Sequence, residues 1–418
     1  MNNEIRKKTE YCLNCKIKPC SNKGCPLNNN IPDFIGAIKQ EKYQEAYDIL
    51  CETTVLSSLC GIICPHQKQC QGSCIRGIKG NPVSIGELES YIGDIAIKNG
   101  YKIKTSIDEK YKSKKVAVIG GGPAGLTCAA FLAKKGVQVT IYEKYDYLGG
   151  LLVHGIPEFR LSKEKVKRAI DQILELGITV KYNMQLGKNL YLKDLEKKYD
   201  AIFLGIGANI SSKVGVEGEI LQGVYGGNEL LEHKAHPNYK NKIVAINGGG
   251  NVAMDTARTI KRMGAKKVIV VYRRARQQMP AEDKEIQEAM NEGIEFLFQH
   301  NIVKINGKDK VEALELIKTE LVKKEGENRL SPVNIENSNY QIPVDYVVMA
   351  IGAKPEEFIK DLDLELNKYG NIKIDEQGRT SNSKIYAGGD LAGVKGTVAW
   401  AAKSGRDAAN NICDNLFI

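Results

Sequence analysis

Residues 115–144 read KVAVIGGGPAGLTCAAFLAKKGVQVTIYEK: an apolar run, a glycine turn, a helix-forming stretch and a second apolar run. That order is a strand–turn–helix–strand unit, and a parallel pair of strands needs such a right-handed crossover. Within the turn, Gly120, Gly121, Gly122, Pro123 and Ala124 lead to Gly125 in a G-x-G-x-x-G spacing. The first glycine permits the tight turn, the second lets backbone approach a pyrophosphate, and the third allows close helix–strand packing. Phosphate charge then meets the free N–H groups at a helix N-terminus. Glu143, 23 residues after Gly120, ends the second strand, where its carboxylate can accept hydrogen bonds from ribose hydroxyls.

A second copy of this plan lies 128 residues further on, in KIVAINGGGNVAMDTARTIKRMGAKKVIVVYRR (242–274). Its turn holds Gly248, Gly249, Gly250 and Asn251, with Ala253 in the third glycine's place. The first unit's Tyr142-Glu143 is replaced here by Tyr272-Arg273-Arg274. An acid at that point selects a free 2′-hydroxyl, whereas arginine pairs with a 2′-phosphate, so the second site is expected to take NADP(H) rather than NAD(H). Two dinucleotide sites on one chain suggest a flavin in the first and a nicotinamide in the second. Hydride then passes between aligned cofactors, and no catalytic side-chain pair is required.

The fold class expected is α/β, with two Rossmann-like domains preceded by a small helical domain. Residues 1–105 are cysteine-rich and carry helical patterns such as IPDFIGAIKQEKYQEAYDIL (31–50), and YKIKTSIDEKYKSKK (101–115) reads as a polar linker. YDAIFLGIGA (199–208) and DYVVMAIGAKP (345–355) flank the second unit as similar strand–turn segments. They suggest that a nicotinamide domain, 239–348, is inserted into a flavin domain made of 111–238 and 349–418. In the returning segment, Asp390 follows a short apolar strand and two glycines, Gly388 and Gly389, and can reach ribityl hydroxyls. A helix starting near Thr397 would point its N-terminus at the flavin carbonyl edge. Trp400 fits core packing as well as it fits a flavin neighbour.

Length and composition exclude several classes. At 418 residues the chain is too long for one core. Its net charge of +10 is spread along the sequence with no long like-charge block, which argues for solvated faces over nucleic-acid binding and leaves an acidic protein partner open. No stretch reaches the roughly 18 uninterrupted apolar residues of a membrane span. The N-terminus MNNEIRKKTEYC has no apolar signal-peptide core. A cytoplasmic protein is expected, in which thiols stay reduced.

Eleven cysteines then need another explanation, and nine of them fall within the first 74 residues. One group is Cys12-x2-Cys15-x4-Cys20-x4-Cys25-Pro26, and the other Cys60-x3-Cys64-Pro65-x4-Cys70-x3-Cys74. Zinc sites usually show two Cys-x2-Cys pairs or Cys–His sets; here there is one such pair and one nearby histidine, His66. Clustered cysteines followed by proline match ferredoxin-type ligation, in which neighbouring groups lend each other a ligand. Spacing therefore favours iron–sulfur over zinc, with disulfides third. A one-electron carrier also has a purpose beside a flavin, since it splits hydride chemistry into single electrons.

The order of cysteine domain, GGGPAGL, GGLLVHGIPEFRL, GGGNVAMDTAR, YRRARQQMP and TSNSKIYAGGD resembles the small (beta) subunit of NADPH-dependent glutamate synthase, from about residue 10 to 412. The chain is similar, too, to the N-terminal part of dihydropyrimidine dehydrogenase. A third likeness is to the large subunit of NADH-dependent ferredoxin:NADP oxidoreductase. The resemblance implies FAD at the first site, NADPH at the second and two N-terminal 4Fe-4S clusters. It assigns Cys12, Cys15, Cys20 and Cys74 to one cluster. Cys25, Cys64, Cys70 and a non-cysteine ligand, Glu89 in SIGELESY (84–91), go to the other. Cys60 matches a buried non-ligand, and Cys51 has no counterpart. FAD would be held by Gly120 to Ala124, Glu143, Gly149, Gly150, Leu151, Arg160, Gly389, Asp390, Thr397 and Val398. NADPH would meet Gly248 to Asn251, Arg273 and Arg274, with Ala350 to Gly352 near the nicotinamide.

The resemblance further implies an electron-transfer subunit serving a protein partner, either the glutamate synthase large subunit or another flavoprotein or ferredoxin-linked subunit, as in a flavin-bifurcating ferredoxin:NADP oxidoreductase. This chain departs from the pattern in a Cys20–Cys25 gap one residue longer than usual, a short N-terminal lead and a short linker before residue 240. A flavin disulfide reductase would need a redox cysteine pair in a nucleotide domain, and 239–348 contains no cysteine. A zinc-binding regulator would need zinc at the N-terminus and degenerate nucleotide sites.

Overall fold

The computed structural model describes residues 1–323 and 330–416. Its chain divides into two compact units, one of residues 1–153, 158–208 and 355–418, the other of 154–157 and 209–354.

The first unit is built on a five-stranded parallel sheet in the order Ile385–Ala387, Ala201–Leu204, Lys115–Ile119, Gln138–Tyr142, Thr179–Lys181. Val116, Ala117, Val118 and Ile119 are all buried, as expected of a strand covered on both faces. Ala117 and Ile119 join a core with Leu192, Leu195, Ile372 and Leu391. The Pro123–Lys134 helix packs against the C-terminal helix Val398–Asn415, where a Cβ on Gly405 would overlap the Ala124 carbonyl. Small residues let the first turn of the one helix approach the middle of the other.

The cysteine-rich region belongs to this same unit and is helical, with Asn3–Glu10, Ile31–Lys39, Tyr43–Cys51, Ser57–Ile63 and Ile85–Asn99 as its α-helices. Ser57–Ile63 crosses Ile85–Asn99 at two glycines. A Cβ on Gly61 would overlap the Ser90 amide, and one on Gly93 would sit 2.5 Å from Ser58 N. The linker 101–115 is laid down on the first nucleotide helix: Ser106 N donates to Lys134 O (2.8 Å) and Asp108 N to Lys135 O (3.0 Å), with Ile103 and Tyr111 buried.

In the second unit a five-stranded parallel sheet runs Val224–Gly226, Tyr346–Met349, Ile243–Asn247, Lys267–Tyr272, Glu295–Phe298. Alternate residues go to opposite faces. Val244, Ile246, Val268 and Val270 pack with Met254, Ala257 and Ile286 from the helices Asn251–Arg262 and Asp283–Asn291. Ala245, Ile269 and Val271 pack with Ile302, Ile305, Leu314 and Leu316 of an antiparallel sheet formed by His300–Asn306, Ala313–Val322, Ser331–Asn334 and Tyr340–Pro343. The segment 239–348 lies within this unit, which begins some thirty residues earlier because Val224–Gly226 is an edge strand of its sheet.

Candidate functional site

Gly120 has φ +95°, and a Cβ there would stand 2.6 Å from Gly205 O. A Cβ on Gly125 would overlap the Gly120 carbonyl, so that contact admits only glycine. Gly122 differs: nothing lies within 4 Å of where its Cβ would be. That open space at the N-terminus of Pro123–Lys134, bounded by backbone N–H groups, is the fit expected of a pyrophosphate cradle.

Around it the other residues assigned to FAD gather. Gly149 N donates to Gly121 O (2.8 Å), and a Cβ on Gly150 would come 3.0 Å from Gly122 Cα. Leu151 opens the short helix Leu151–His154, and Arg160, half-buried, lies in the turn before Lys163–Leu174. Gly389 (φ +63°) faces Ala124, its Cβ position 3.2 Å from Ala124 Cβ. Asp390 follows, and burial alone pushes its carboxyl above the ordinary aspartate range. A carboxylate desolvated in this way is a ready acceptor for ligand hydroxyls. Thr397 caps Val398–Asn415 by accepting from Trp400 N (3.3 Å), so this helix starts at Val398 as the sequence led us to expect. Trp400 is half-buried beneath Lys395 Nζ, 4.9 Å from its ring centre.

Glu143 is buried and turned back onto the glycine turn. Its Oε2 accepts from Gly121 N (2.7 Å) and its Oε1 from Tyr145 N (3.0 Å). Burial raises its pKa against the effect of these N–H donors. Part of its acceptor capacity thus holds the turn in shape, and a carboxylate retains further lone pairs for a ribose.

In the second unit the same geometry recurs. Gly248 (φ +151°) lies against Ala350, whose carbonyl a Cβ would overlap. Gly249 rests on the Tyr272 ring. Gly250 faces open space, with only Pro280 Cγ at 3.9 Å. Asn251 Oδ1 accepts from Glu282 N (3.2 Å), and Ala350 N donates to Asn247 O (2.9 Å). Gly352 is exposed with φ +137°. The arginines at the strand end separate in role: Arg273 is exposed, whereas Arg274 Nε donates to Leu330 O (3.2 Å).

The cysteines divide into two sets. Cys12, Cys15, Cys20 and Cys74 line one small cavity, closed inward by Ile31, Ile35, Val83 and Ile85. Left-handed backbone at Asn14 and Lys18 curls the 12–20 loop round it. The extra residue between Cys20 and Cys25 is absorbed as one π-turn, Cys20–Gly24, closed by Cys25 N donating to Cys20 O (2.9 Å). Gly24 admits the second cysteine segment, its Cβ position being 2.8 Å from Cys70 Cα.

Cys25, Cys64 and Cys70 gather round Glu89. Glu89 shares a helix face with Gly86 and Gly93 and is buried where Ser57–Ile63 crosses. Asn29 Nδ2 donates to Glu89 Oε1 (3.1 Å), and Thr53 Oγ1 holds Asn29 Oδ1 (2.7 Å). Burial pushes the Glu89 carboxyl up to about 8 despite that donor. Burial, followed by the charge of Glu89, raises the Cys25 thiol to about 12 and also raises the Cys70 thiol. These buried groups favour their neutral, protonated forms, and the deprotonated forms that ligation requires become favourable only beside a cation. The buried Cys60 thiol is in hydrogen-bond contact with Cys64. Cys51 is buried, and its carbonyl accepts from Lys134 Nζ.

All eleven cysteines are free. Among the described residues no three Cys, His, Asp or Glu side chains converge as a single-ion site. Thiols spaced round a cavity suit a multi-iron cluster better than a lone zinc.

Sequence reasoning missed Asn29 and Arg406. Arg406, on Val398–Asn415, donates from Nη1 to Leu27 O (2.6 Å) and Thr53 O (3.2 Å). The available signal was an arginine in the otherwise small-residue stretch AAKSGRDAA.

Comparison with known proteins gives the following. Residues 114–408 match the pyridine nucleotide-disulphide oxidoreductase family, and residues 1–101 match dihydropyrimidine dehydrogenase domain II, 4Fe-4S cluster. The glutamate synthase (NADPH) small chain of Escherichia coli (strain K12) is 35% identical, the alignment covering 99% of this chain and 92% of that one. The NADP(+)-dependent formate dehydrogenase subunit beta of Moorella thermoacetica is 33% identical over 94% of this chain, which spans 59% of that subunit. Among solved structures, Mycobacterium tuberculosis FprA in complex with NADPH shares the fold, with a TM-score of 0.66 at 19% identity, over 73% of this chain and 85% of that one. Among the described residues no helix is long and apolar enough to cross a membrane.

Proposed function

The chain belongs to the glutamate synthase small-chain family of NADPH-dependent oxidoreductases, and we propose that it serves there as an electron-input subunit for a protein partner. It is an oxidoreductase of the FAD, NADP(H) and 4Fe-4S type. When bound, the nicotinamide and flavin supply hydride transfer, and iron–sulfur clusters supply single-electron steps. The chain's residues bind and orient these groups. Gly120 to Gly125, Gly149 to Leu151, Arg160, Glu143, Gly389, Asp390, Thr397 and Val398 hold FAD. Gly248 to Asn251, Arg273 and Arg274 hold NADPH, with Ala350 and Gly352 near the nicotinamide. In domain terms, 1–105 carries the clusters, 111–238 with 349–418 the flavin, and 239–348 the nicotinamide.

Two clusters are assigned, one to Cys12, Cys15, Cys20 and Cys74, the other to Cys25, Cys64, Cys70 and Glu89. The observation that carries the reading is the single cavity lined by the first four thiols, in the same compact unit as the first glycine turn. The partner we favour is a glutamate synthase large subunit. The alternative is another NADP-linked complex, which the likeness to a formate dehydrogenase beta subunit supports. The eleven unpaired cysteines support a reducing, cytoplasmic setting.

The test is an anaerobic titration of the iron-reconstituted chain with NADPH and NADH, read by absorbance and low-temperature EPR. Bleaching of the flavin band by NADPH in preference to NADH, with iron bound at both sites, is the expected result. Glu89→Ala should lower bound iron by about half while leaving flavin content intact. A protein that holds zinc and responds to neither nucleotide overturns the reading.

A further inference from the structure

The wall of the first cavity that faces solvent is unusual in composition. From Tyr11 to Pro32, and again from Thr53 to Gly86, the sequence contains no aspartate or glutamate, but six lysines and arginines. These are the two segments that supply the cysteines. Three large apolar side chains of these segments stand out in solvent: Leu13, which lines the cavity, at 49% exposure, Ile17 at 73% and Ile78 at 76%. Leu13 lies between Cys12 and Cys15, Ile17 two residues past Cys15, and Ile78 four past Cys74.

The two segments are fastened into one surface. Arg76 Nε donates to Tyr11 O (2.9 Å) and its guanidinium stacks 4.4 Å from the Tyr11 ring centre, while Tyr11 Oη donates to Asn81 O (3.0 Å). Lys18 is neutralised by Asp33 (2.7 Å). Lys16, Lys23 and Lys79 are exposed. Folding explains none of this, since an apolar side chain three-quarters exposed contributes little to stability. Exposed apolar side chains interleaved with exposed lysines are the anatomy of a protein-docking face.

We propose that the surface formed by Leu13, Ile17 and Ile78 with Lys16, Lys23 and Lys79 is the docking face for the electron-accepting partner, and that the partner presents an acidic surface bearing a one-electron centre. The inference rests on the electron-input reading above and adds to it the chemistry of the partner. Charge complementarity selects the occupant: a positive rim steers a negative face and repels a basic one. Leu13 shares its cavity lining with the half-buried Cys12, Cys15 and Cys74, which puts the first ligand set within short reach of whatever docks on it.

The experiment measures direct binding, without NADPH, of the FAD- and iron-loaded chain to a small acidic ferredoxin as probe. Its affinity should fall about tenfold between about 20 and about 200 mM salt. Lys16→Glu with Lys79→Glu should weaken binding about tenfold at low salt and flatten the salt dependence. Ile17→Ser with Ile78→Ser should weaken it several-fold while leaving the salt dependence unchanged. Lys193→Glu with Lys197→Glu, on the remote Leu192–Glu196 segment and its cap, should change nothing.

Equal weakening by that control pair would show a non-specific net-charge effect and overturn the site. No binding at low salt would overturn the acidic occupant. If the ferredoxin binds as described but NADPH leaves the flavin oxidised, the docking face stands and the electron-input reading falls.

Discussion

Arg406 Nη1 lies 2.6 Å from the Leu27 carbonyl, which joins the helix that starts at Thr397 to the segment following Cys25. The same nitrogen reaches Thr53 O at 3.2 Å, and Asp407 Oδ1 holds the other side of the guanidinium at 3.0 Å. Thr53 in turn fixes Asn29, and Asn29 meets Glu89. A single side chain therefore couples the flavin helix to the second ligand set. Hydrogen bonds from a charged group contribute about 1.5–3 kcal/mol each. Arg406→Ala should raise amide hydrogen exchange in residues 26–31 and 52–56 by about tenfold or more, with 243–272 unchanged. Arg406→Lys, lacking the planar fork, should recover little of that protection. Unchanged exchange in Arg406→Ala would show that the clamp does not hold these segments.

The open glycines, Gly122 and Gly250, and the crowded Gly125 predict different effects on stability. Gly125→Ala places a methyl on the Gly120 carbonyl, which no rotamer relieves. It should lower stability by about 1–3 kcal/mol or more and abolish FAD retention. Gly122→Ala meets empty space and should fold with a melting temperature near the parent's. It should nevertheless lose flavin, because the methyl fills the cradle. Gly250→Ala should do the same for NADPH. Flavin content and thermal unfolding measured together separate these outcomes.

Both nucleotide turns and their parallel sheets were legible because apolar strands, glycines and helices follow each other at fixed spacing. The ligand sets were less so. The Cys20–Cys25 gap reads as an irregularity, and only the structure resolves it into a π-turn. Glu89 carries no local signal; a glutamate in SIGELESY reads as a surface acid until Gly61 and Gly93 are seen to bring two helices over it. The second unit's edge strand, Val224–Gly226, is three residues long and too short to register as a pattern. Likewise 154–157 leaves the first unit for four residues without any change in composition. Arg406 stood out in its stretch, but its role was invisible for a general reason. Its partners are backbone carbonyls more than 350 residues away, and carbonyls have no sequence signature.

Arg273 and Arg274 were equivalent in sequence and differ in structure. Arg274 is half-buried and bonded to Leu330 O, while Arg273 is exposed, with its carbonyl held by Thr319 Oγ1 (2.9 Å). Arg273 is thus the freer group for a 2′-phosphate. Arg273→Ala should raise KM for NADPH about 10–100-fold, leave kcat and NADH turnover little changed, and leave the melting temperature alone. Arg274→Ala should combine a smaller KM effect with a measurable loss of stability. Steady-state kinetics with both nucleotides, beside thermal unfolding, distinguishes the two.

Arg258 is a buried hub of the second unit. Its guanidinium meets Glu285 (2.6 Å), Glu288 (2.7 Å) and Glu292 (2.9 Å), and Arg262 also reaches Glu292 (2.7 Å). Burial would raise the Glu292 pKa, but hydrogen bonds from Arg262 and Arg258, with their charges, hold it below the ordinary 4.5. A carboxylate depressed on folding lends stability that is present above its unfolded pKa and lost as pH falls through the folded one. The second unit should therefore begin to lose stability below about pH 4.5 and continue to lose it at lower pH. Arg258→Met takes the guanidinium from Glu285, Glu288 and Glu292, of which Glu292 keeps Arg262, and should cost about 3–5 kcal/mol at neutral pH. In that variant the sign reverses: lowering the pH toward 5 should restore part of the loss, since protonation relieves the acids that have lost the guanidinium. Chemical-denaturant midpoints measured from pH 4 to 8 for both proteins test this, and parallel curves would show that the pairing contributes nothing to the pH dependence.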